Sequence, residues 1–177
     1  MPLNEYEFFT EWRVEAPAEL LFDILKNGQD YTRWWPDVYL RAEYFPSGSA
    51  DGTGDRIRLL TKGWLPYRLR WTAETIRYER PWMIEIGASG DFVGRGIWRL
   101  EPQGNETRVT FDWRIRADKL LLRFFSPIFK PFFRWNHGWA MNKGLYRLRE
   151  EVARRSISVA PFRADAASAG SGFHKNA

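Results

Sequence analysis

The chain has 177 residues with no Cys, two His and a formal charge of +5, and 17% of it is aromatic, including ten Trp. That length suits one domain burying a core without disulfides or metal, and the missing Cys excludes thiolate chemistry. Two His, one of them at position 174, cannot furnish the usual zinc ligand sets, so neither a metal nor a cofactor is expected.

Met1-Pro2-Leu3-Asn4-Glu5 offers no basic or apolar run of a signal peptide, which makes a cytoplasmic location the default expectation. Residues 5–14 then alternate, placing Tyr6, Phe8, Thr10, Trp12 and Val14 on one face of a strand and Glu5, Glu7, Glu11 and Arg13 on the other. Pro17 suits the first turn of a helix, because its missing N–H would lack an intrahelical partner there, and Asn27-Gly28 supplies the stop. Leu21, Ile24 and Leu25 form a stripe at helical spacing. A second short helix is expected over Tyr31-Thr32-Arg33-Trp34-Trp35-Pro36.

A β region follows. Strands are read over Val38 to Phe45, Asp55 to Thr61, Tyr67 to Tyr78, Trp82 to Ile86, Phe92 to Leu100 and Arg108 to Ile115, with Gly-rich or Pro-containing turns between them. The last is the cleanest, with Val109, Phe111, Trp113 and Ile115 opposite Arg108, Thr110, Asp112 and Arg114. Gly90, Gly94 and Gly96 predict bending or close approach by a neighbouring group. Such a run reads as an antiparallel sheet with one wet face, whose dry face needs a cover. A helix from about Phe132 to Arg154 supplies it, after a stretch broken or kinked by Pro127 and Pro131. On that helix Phe132, Trp135, Trp139, Asn142, Tyr146 and Arg149 share a face, widened by Phe133, Ala140, Leu145, Leu148 and Val152. Periodicity fades from Ser156, so residues 1–155 are expected to form the domain and 156–177 a disordered tail.

Strand, two short helices, six further strands and a long C-terminal helix is the order of the helix-grip fold. The chain resembles the START-like (SRPBCC) superfamily, and within it the polyketide cyclase/dehydrase and lipid-transport group. The matching pieces are Val14-Glu15-Ala16-Pro17-Ala18-Glu19, Tyr31 to Pro36, Gly90 to Gly96 leading into Trp98-Arg99-Leu100-Glu101-Pro102, and Thr107-Arg108-Val109-Thr110. The resemblance implies an α+β fold with a curved antiparallel sheet wrapped around the C-terminal helix. It also implies a hydrophobic cavity between the two.

On that arrangement Tyr6, Phe8, Trp71, Trp82, Trp98, Phe111 and Trp113 point inward together with Trp135 and Trp139, either as a solid core or as the lining of a site for a small hydrophobic or amphipathic ligand. Arg95 and Tyr146 are candidates for polar contacts with that ligand. His137 is a weak candidate for proton transfer, the alternative being an ordinary hydrogen-bonded helix residue. Binding, and transport with it, is the expected function; the alternative is an aromatase/cyclase-type enzyme using the same cavity, with His137, Arg95 and Tyr146 as its catalytic candidates. Residues 120–135 mix Leu and Phe with Arg123, Lys130 and Arg134, which suits either a lid on the sheet or contact with an anionic membrane surface. The basic residues are scattered among strands, so no nucleic-acid partner is expected, and a monomer is assumed. Gly94-Arg95-Gly96 continues a strand instead of opening a helix and is no dinucleotide fingerprint.

Overall fold

The structure, a computed structural model, describes residues 5–117 and 120–168, and side chains over 5–116 and 131–157. Seven strands, β1 (Glu5–Val14), β2 (Tyr39–Phe45), β3 (Arg56–Lys62), β4 (Arg68–Glu79), β5 (Met83–Gly90), β6 (Phe92–Gln103) and β7 (Glu106–Ala117), form one antiparallel sheet. Their order is β1-β7-β6-β5-β4-β3-β2, so every neighbour after the β1–β7 pairing is joined by a local hairpin. The helices α1 (Ala18–Lys26) and α2 (Tyr31–Trp34) follow β1, and α3 (Leu120–Ser168) closes the chain. This is the α+β helix-grip architecture, a curved open sheet holding a long C-terminal helix.

The expected alternation is present. In β1, Tyr6, Trp12 and Val14 are buried while Glu5, Glu7, Glu11 and Arg13 are exposed. In α1, Leu21, Phe22, Ile24 and Leu25 are all within 2% of full burial and seat the helix against β5 and β6. Along β6 the even positions, from Phe92 to Leu100, face inward and Val93, Arg95 and Arg99 face out.

The helix α3 departs from expectation in extent and in phase. It starts at Leu120, passes through Pro127 and Pro131 without ending, and continues beyond Arg154 to Ser168. The Ser156 hydroxyl donates to the Val152 carbonyl at 2.9 Å, a bond made along the helix, and Ala160, Ala164, Ala166 and Ala167 are strong helix formers. Residues 169–177 of the expected tail lie outside the described residues.

The phase differs because the helix packs through small residues. Met141, Gly144, Leu148 and Val152 are buried, with Glu151 beside them, whereas Phe132, Trp135, Asn142, Tyr146 and Arg149 are exposed. A Cβ at Gly144 would lie 2.3 Å from the Trp35 ring, so the helix crosses α2 where it has no side chain. Three arginines gathered on one carboxylate fasten this half: Arg33 donates to both oxygens of Glu151 at 2.8 Å, and Arg154 and Arg155 each donate at 2.7 Å.

Candidate functional site

Between the concave face of the sheet and α3 lies a cavity of about 210 Å³, lined by residues of β1, α2, six further strands and the middle of α3. Its floor is aromatic. Trp98 and Phe111 stack with ring centroids 4.1 Å apart, Phe111 continues onto Trp113 at 5.4 Å, and Trp113 meets Trp71 and Phe92 at 5.8 Å. Gly96 makes this possible, because a Cβ there would sit 2.6 Å from the Trp113 ring and 2.9 Å from Phe111. The Trp71 indole N–H is satisfied within the wall, donating to Thr61 Oγ1 at 3.2 Å.

Two groups of polar side chains interrupt the apolar lining. At the end nearest the β3–β4 turn, Asn136 and His137 enter from α3. Asn136 Oδ1 accepts from the Leu65 N–H at 3.1 Å and Nδ2 donates to the Tyr67 hydroxyl at 3.3 Å, which ties the turn to the helix. Gly63 leaves room for that contact: a Cβ there would be 2.1 Å from Asn136 Oδ1. The His137 ring stacks on Phe8 at 4.3 Å, with Nε2 3.4 Å from Thr10 Oγ1. Enclosure among these groups pulls its pKa down to about 4, because the protonated ring would lose its hydration, and it is neutral near pH 7. Burial raises Tyr67 to about 12, helped by Tyr6.

At the other end stand Tyr31, Tyr39, Thr75 and Tyr78. The Tyr31 hydroxyl donates to the Leu25 carbonyl, and Thr75 Oγ1 and the Tyr78 hydroxyl lie 3.1 Å apart. The Tyr39 hydroxyl makes no hydrogen bond among the described residues. Burial pushes the pKa of Tyr31, Tyr39 and Tyr78 upward, so all three are neutral phenols.

The chain matches the family described as polyketide cyclase / dehydrase and lipid transport over residues 7–153. It belongs to that family. The fold is shared with solved structures of low identity, which bear on architecture alone. The aromatase/cyclase Zhui from Streptomyces sp. R1128 is 17% identical, with a TM-score of 0.66 over 86% of this chain and 96% of that one. A START superfamily protein from Mycobacterium smegmatis is 16% identical, with a TM-score of 0.68 over 84% and 97%. The di-domain aromatase/cyclase BexL from the BE-7585A biosynthetic pathway is 12% identical, with a TM-score of 0.69 over 85% of this chain and 51% of that one, so the chain spans about half its length. No curated protein matches the chain. Family and neighbours agree on the START/polyketide cyclase-type ligand-binding fold inferred from the sequence.

Of the side chains expected inside, Tyr6, Phe8, Trp71, Trp98, Phe111, Trp113 and His137 line the cavity. Five others are placed elsewhere. Trp82 is 50% exposed: it lies in the β4–β5 turn, one residue before β5 begins, so strand alternation does not govern it. Trp135 is 49% exposed and meets Trp64, and Trp139 packs half-buried against the core beside the cavity. Arg95 points to the outer face and forms an ion pair with the buried carboxylate of Glu85 at 2.6 Å. Tyr146, 59% exposed, hydrogen-bonds Glu150, which raises its pKa.

Sequence reading missed most of the polar lining. A bulge between Thr75 and Arg77 leaves Ile76 and Arg77 both outward and turns Tyr78 inward, breaking the alternation that had organised the strand. Tyr31 and Tyr39 flank a tryptophan pair that dominates any reading of that stretch. Trp34 and Trp35 are buried, and their indole N–H groups have no partner among the described residues.

No helix among the described residues is long and apolar enough to cross a membrane. No cluster of three or more His, Cys, Asp or Glu that could hold a metal occurs among them.

Proposed function

We propose that this protein binds, and carries, a small mostly apolar molecule with one or two hydrogen-bonding groups. The observation that carries this reading is the cavity itself: an aromatic floor with neutral polar groups at its two ends, and Lys26 and Lys62 as the charged side chains of its lining. At about 210 Å³ it exceeds the apolar cavity of about 150 Å³ that holds benzene in an engineered lysozyme. That size favours one ring or two fused rings over a two-chain lipid. Burying about 250 Å² of apolar ligand surface contributes about 6 kcal/mol before the cost of association. His137, Asn136 and Tyr67 would orient the polar end by neutral hydrogen bonds.

Carriage is favoured over catalysis by the state of His137. A general base works best when its pKa is near the working pH, and a ring held at about 4 is a weak base. The enzyme reading, an aromatase/cyclase acting on a poly-β-ketone in the same cavity, draws on the fold shared with Zhui and BexL and on the hydroxyls of Tyr39 and Tyr78.

The test uses N-phenylnaphthylamine, an apolar two-ring probe, titrated against tryptophan emission. Saturable binding near one per chain is expected, and an Ala140→Phe variant, which extends a ring from α3 into the cavity, should lose it while remaining folded. Absence of saturable binding to the wild-type protein would defeat both readings. Turnover of a poly-β-ketone that disappears in folded His137→Ala would establish the enzyme instead.

A further inference from the structure

The β3–β4 turn and the neighbouring part of α3 place exposed aromatic rings, and cations unpaired among the described residues, around one end of the cavity. Trp64 at the turn is 58% exposed and meets Trp135 of α3 edge-on at 4.4 Å, while Phe132, one helical turn before Asn136, is 49% exposed. Single exposed apolar residues are ordinary. Here two indoles pair in solvent although a large apolar interior lies beside them. The bonds from Asn136 to Leu65 and Tyr67 hold the turn and helix together and so fix the pair in place.

Many of the outer-face cations away from this rim are paired with a carboxylate, though Arg70 and Arg99 make no ion pair among the described residues. On the outer face, Arg56 sits on Glu74, Arg58 on Glu43, Arg95 on Glu85, Arg108 on Glu11 and Arg114 on Asp112. Lys62 and Arg68, which face each other across the stem of the turn, and Arg134, next to Trp135, are exposed and make no ion pair among the described residues. The sequence carries no acid from Thr61 to Ala73 or from Lys119 to Arg149. Asp91, on the β5–β6 turn, accepts from the Arg70 N–H at 2.9 Å. Lys62, Gly63, Tyr67, Phe133 and Asn136 also line the cavity, so this rim is its border.

We propose that the rim formed by Trp64, Trp135, Phe132, Arg68 and Arg134 docks on the surface of an anionic lipid bilayer and faces the adjoining end of the cavity toward it. Indole rings are favoured at the water–lipid boundary, where the ring is shielded from water and its N–H stays hydrated. Cations lacking a protein partner are attracted by anionic headgroups over a Debye length. A protein partner with an acidic groove or a second copy of the chain is the competing occupant.

Co-sedimentation with vesicles of phosphatidylcholine, and of equal parts phosphatidylcholine and phosphatidylglycerol, tests the proposal on the full chain without any cargo. Binding to the anionic vesicles alone, falling as salt rises, is expected. Arg68→Gln and Arg134→Gln should each weaken it about fivefold, at about 1 kcal/mol per cation, and together about thirtyfold. Trp64→Ala should weaken it further, while Arg99→Gln, a cation at the far end of the outer face, should not. No binding to anionic vesicles, or an equal loss in Arg99→Gln, overturns the proposal. So does a concentration-dependent dimer that Trp64→Ala abolishes. Titration of the same variants with N-phenylnaphthylamine reads the cavity separately, so a failed docking experiment leaves the ligand-binding proposal standing and a failed titration leaves the docking result intact.

Discussion

Replacing Glu151 with Gln tests what seats α3 on the rest of the molecule. The carboxylate is 3% exposed and accepts from Arg33, Arg154 and Arg155 at 2.7 to 2.8 Å. These bonds, Arg33's foremost, bring its pKa from 4.5 down to about 2. At about 1.4 kcal/mol per unit that shift corresponds to about 3 kcal/mol, at the lower end of the about 3–5 kcal/mol lost when one member of a buried pair is removed. The arginines are 28% to 59% exposed, so water screens part of the attraction and about 2–3 kcal/mol is the expected loss. For a domain of this size the melting temperature of Glu151→Gln should fall by about 4–12 °C at pH 7. A carboxylate whose folded pKa is depressed stabilises fully above its unfolded value and loses that contribution as pH falls through the folded one. The gap between wild type and variant should therefore close between pH 4.5 and about 2, measured by urea denaturation at a series of pH values. A gap of constant size down to pH 2, or none at pH 7, would refute the assignment of the cluster as the anchor of the helix.

Gly96→Ala places a methyl against Trp113 and Phe111, and should cost about 1–3 kcal/mol in denaturation and weaken N-phenylnaphthylamine; unchanged values for both would show that the rings do not need the space. Tyr146→Phe should alter neither stability nor probe affinity, whereas Arg95→Ala should leave affinity unchanged and lower stability by removing the closest cation from buried Glu85. Proton NMR of the His137 ring should titrate near pH 4 instead of 6.5, and its share of stability should be present above pH 6.5 and lost as pH falls toward 4; a midpoint near 6.5 would reopen the case for proton transfer.

Much of the fold is legible because a sheet wet on one side writes its geometry with period two. Val109, Phe111 and Trp113 against Arg108, Asp112 and Arg114 admit only one facing, and pairing with β1 sets Phe8 opposite Trp113. Helical phase was harder to read. Trp135, Trp139 and Tyr146 are large rings that draw a helical pattern toward themselves, yet the helix touches α2 through Gly144, a residue that adds nothing to an apolar pattern. The site is legible where it is built from strand interiors, as with Trp71, Trp98 and Trp113, and illegible where a turn or bulge intervenes, as at Trp82 and Tyr78.

The bulge at Ile76 makes chain length, more than residue identity, the sensitive variable in β4. Upstream of it Leu69, Trp71, Ala73 and Thr75 face inward on odd positions; downstream Tyr78 does so on an even one. Deleting Ile76 would remove only a 44% exposed side chain, and substituting it should be well tolerated. Yet the deletion would erase the register shift and force a choice between an unbroken ladder and the present placement of Arg77 opposite Glu85. Homologues that lack a residue here should therefore differ in hairpin length or carry a compensating insertion in β5, and aligning them by identity alone would misassign the phenol at that end of the cavity.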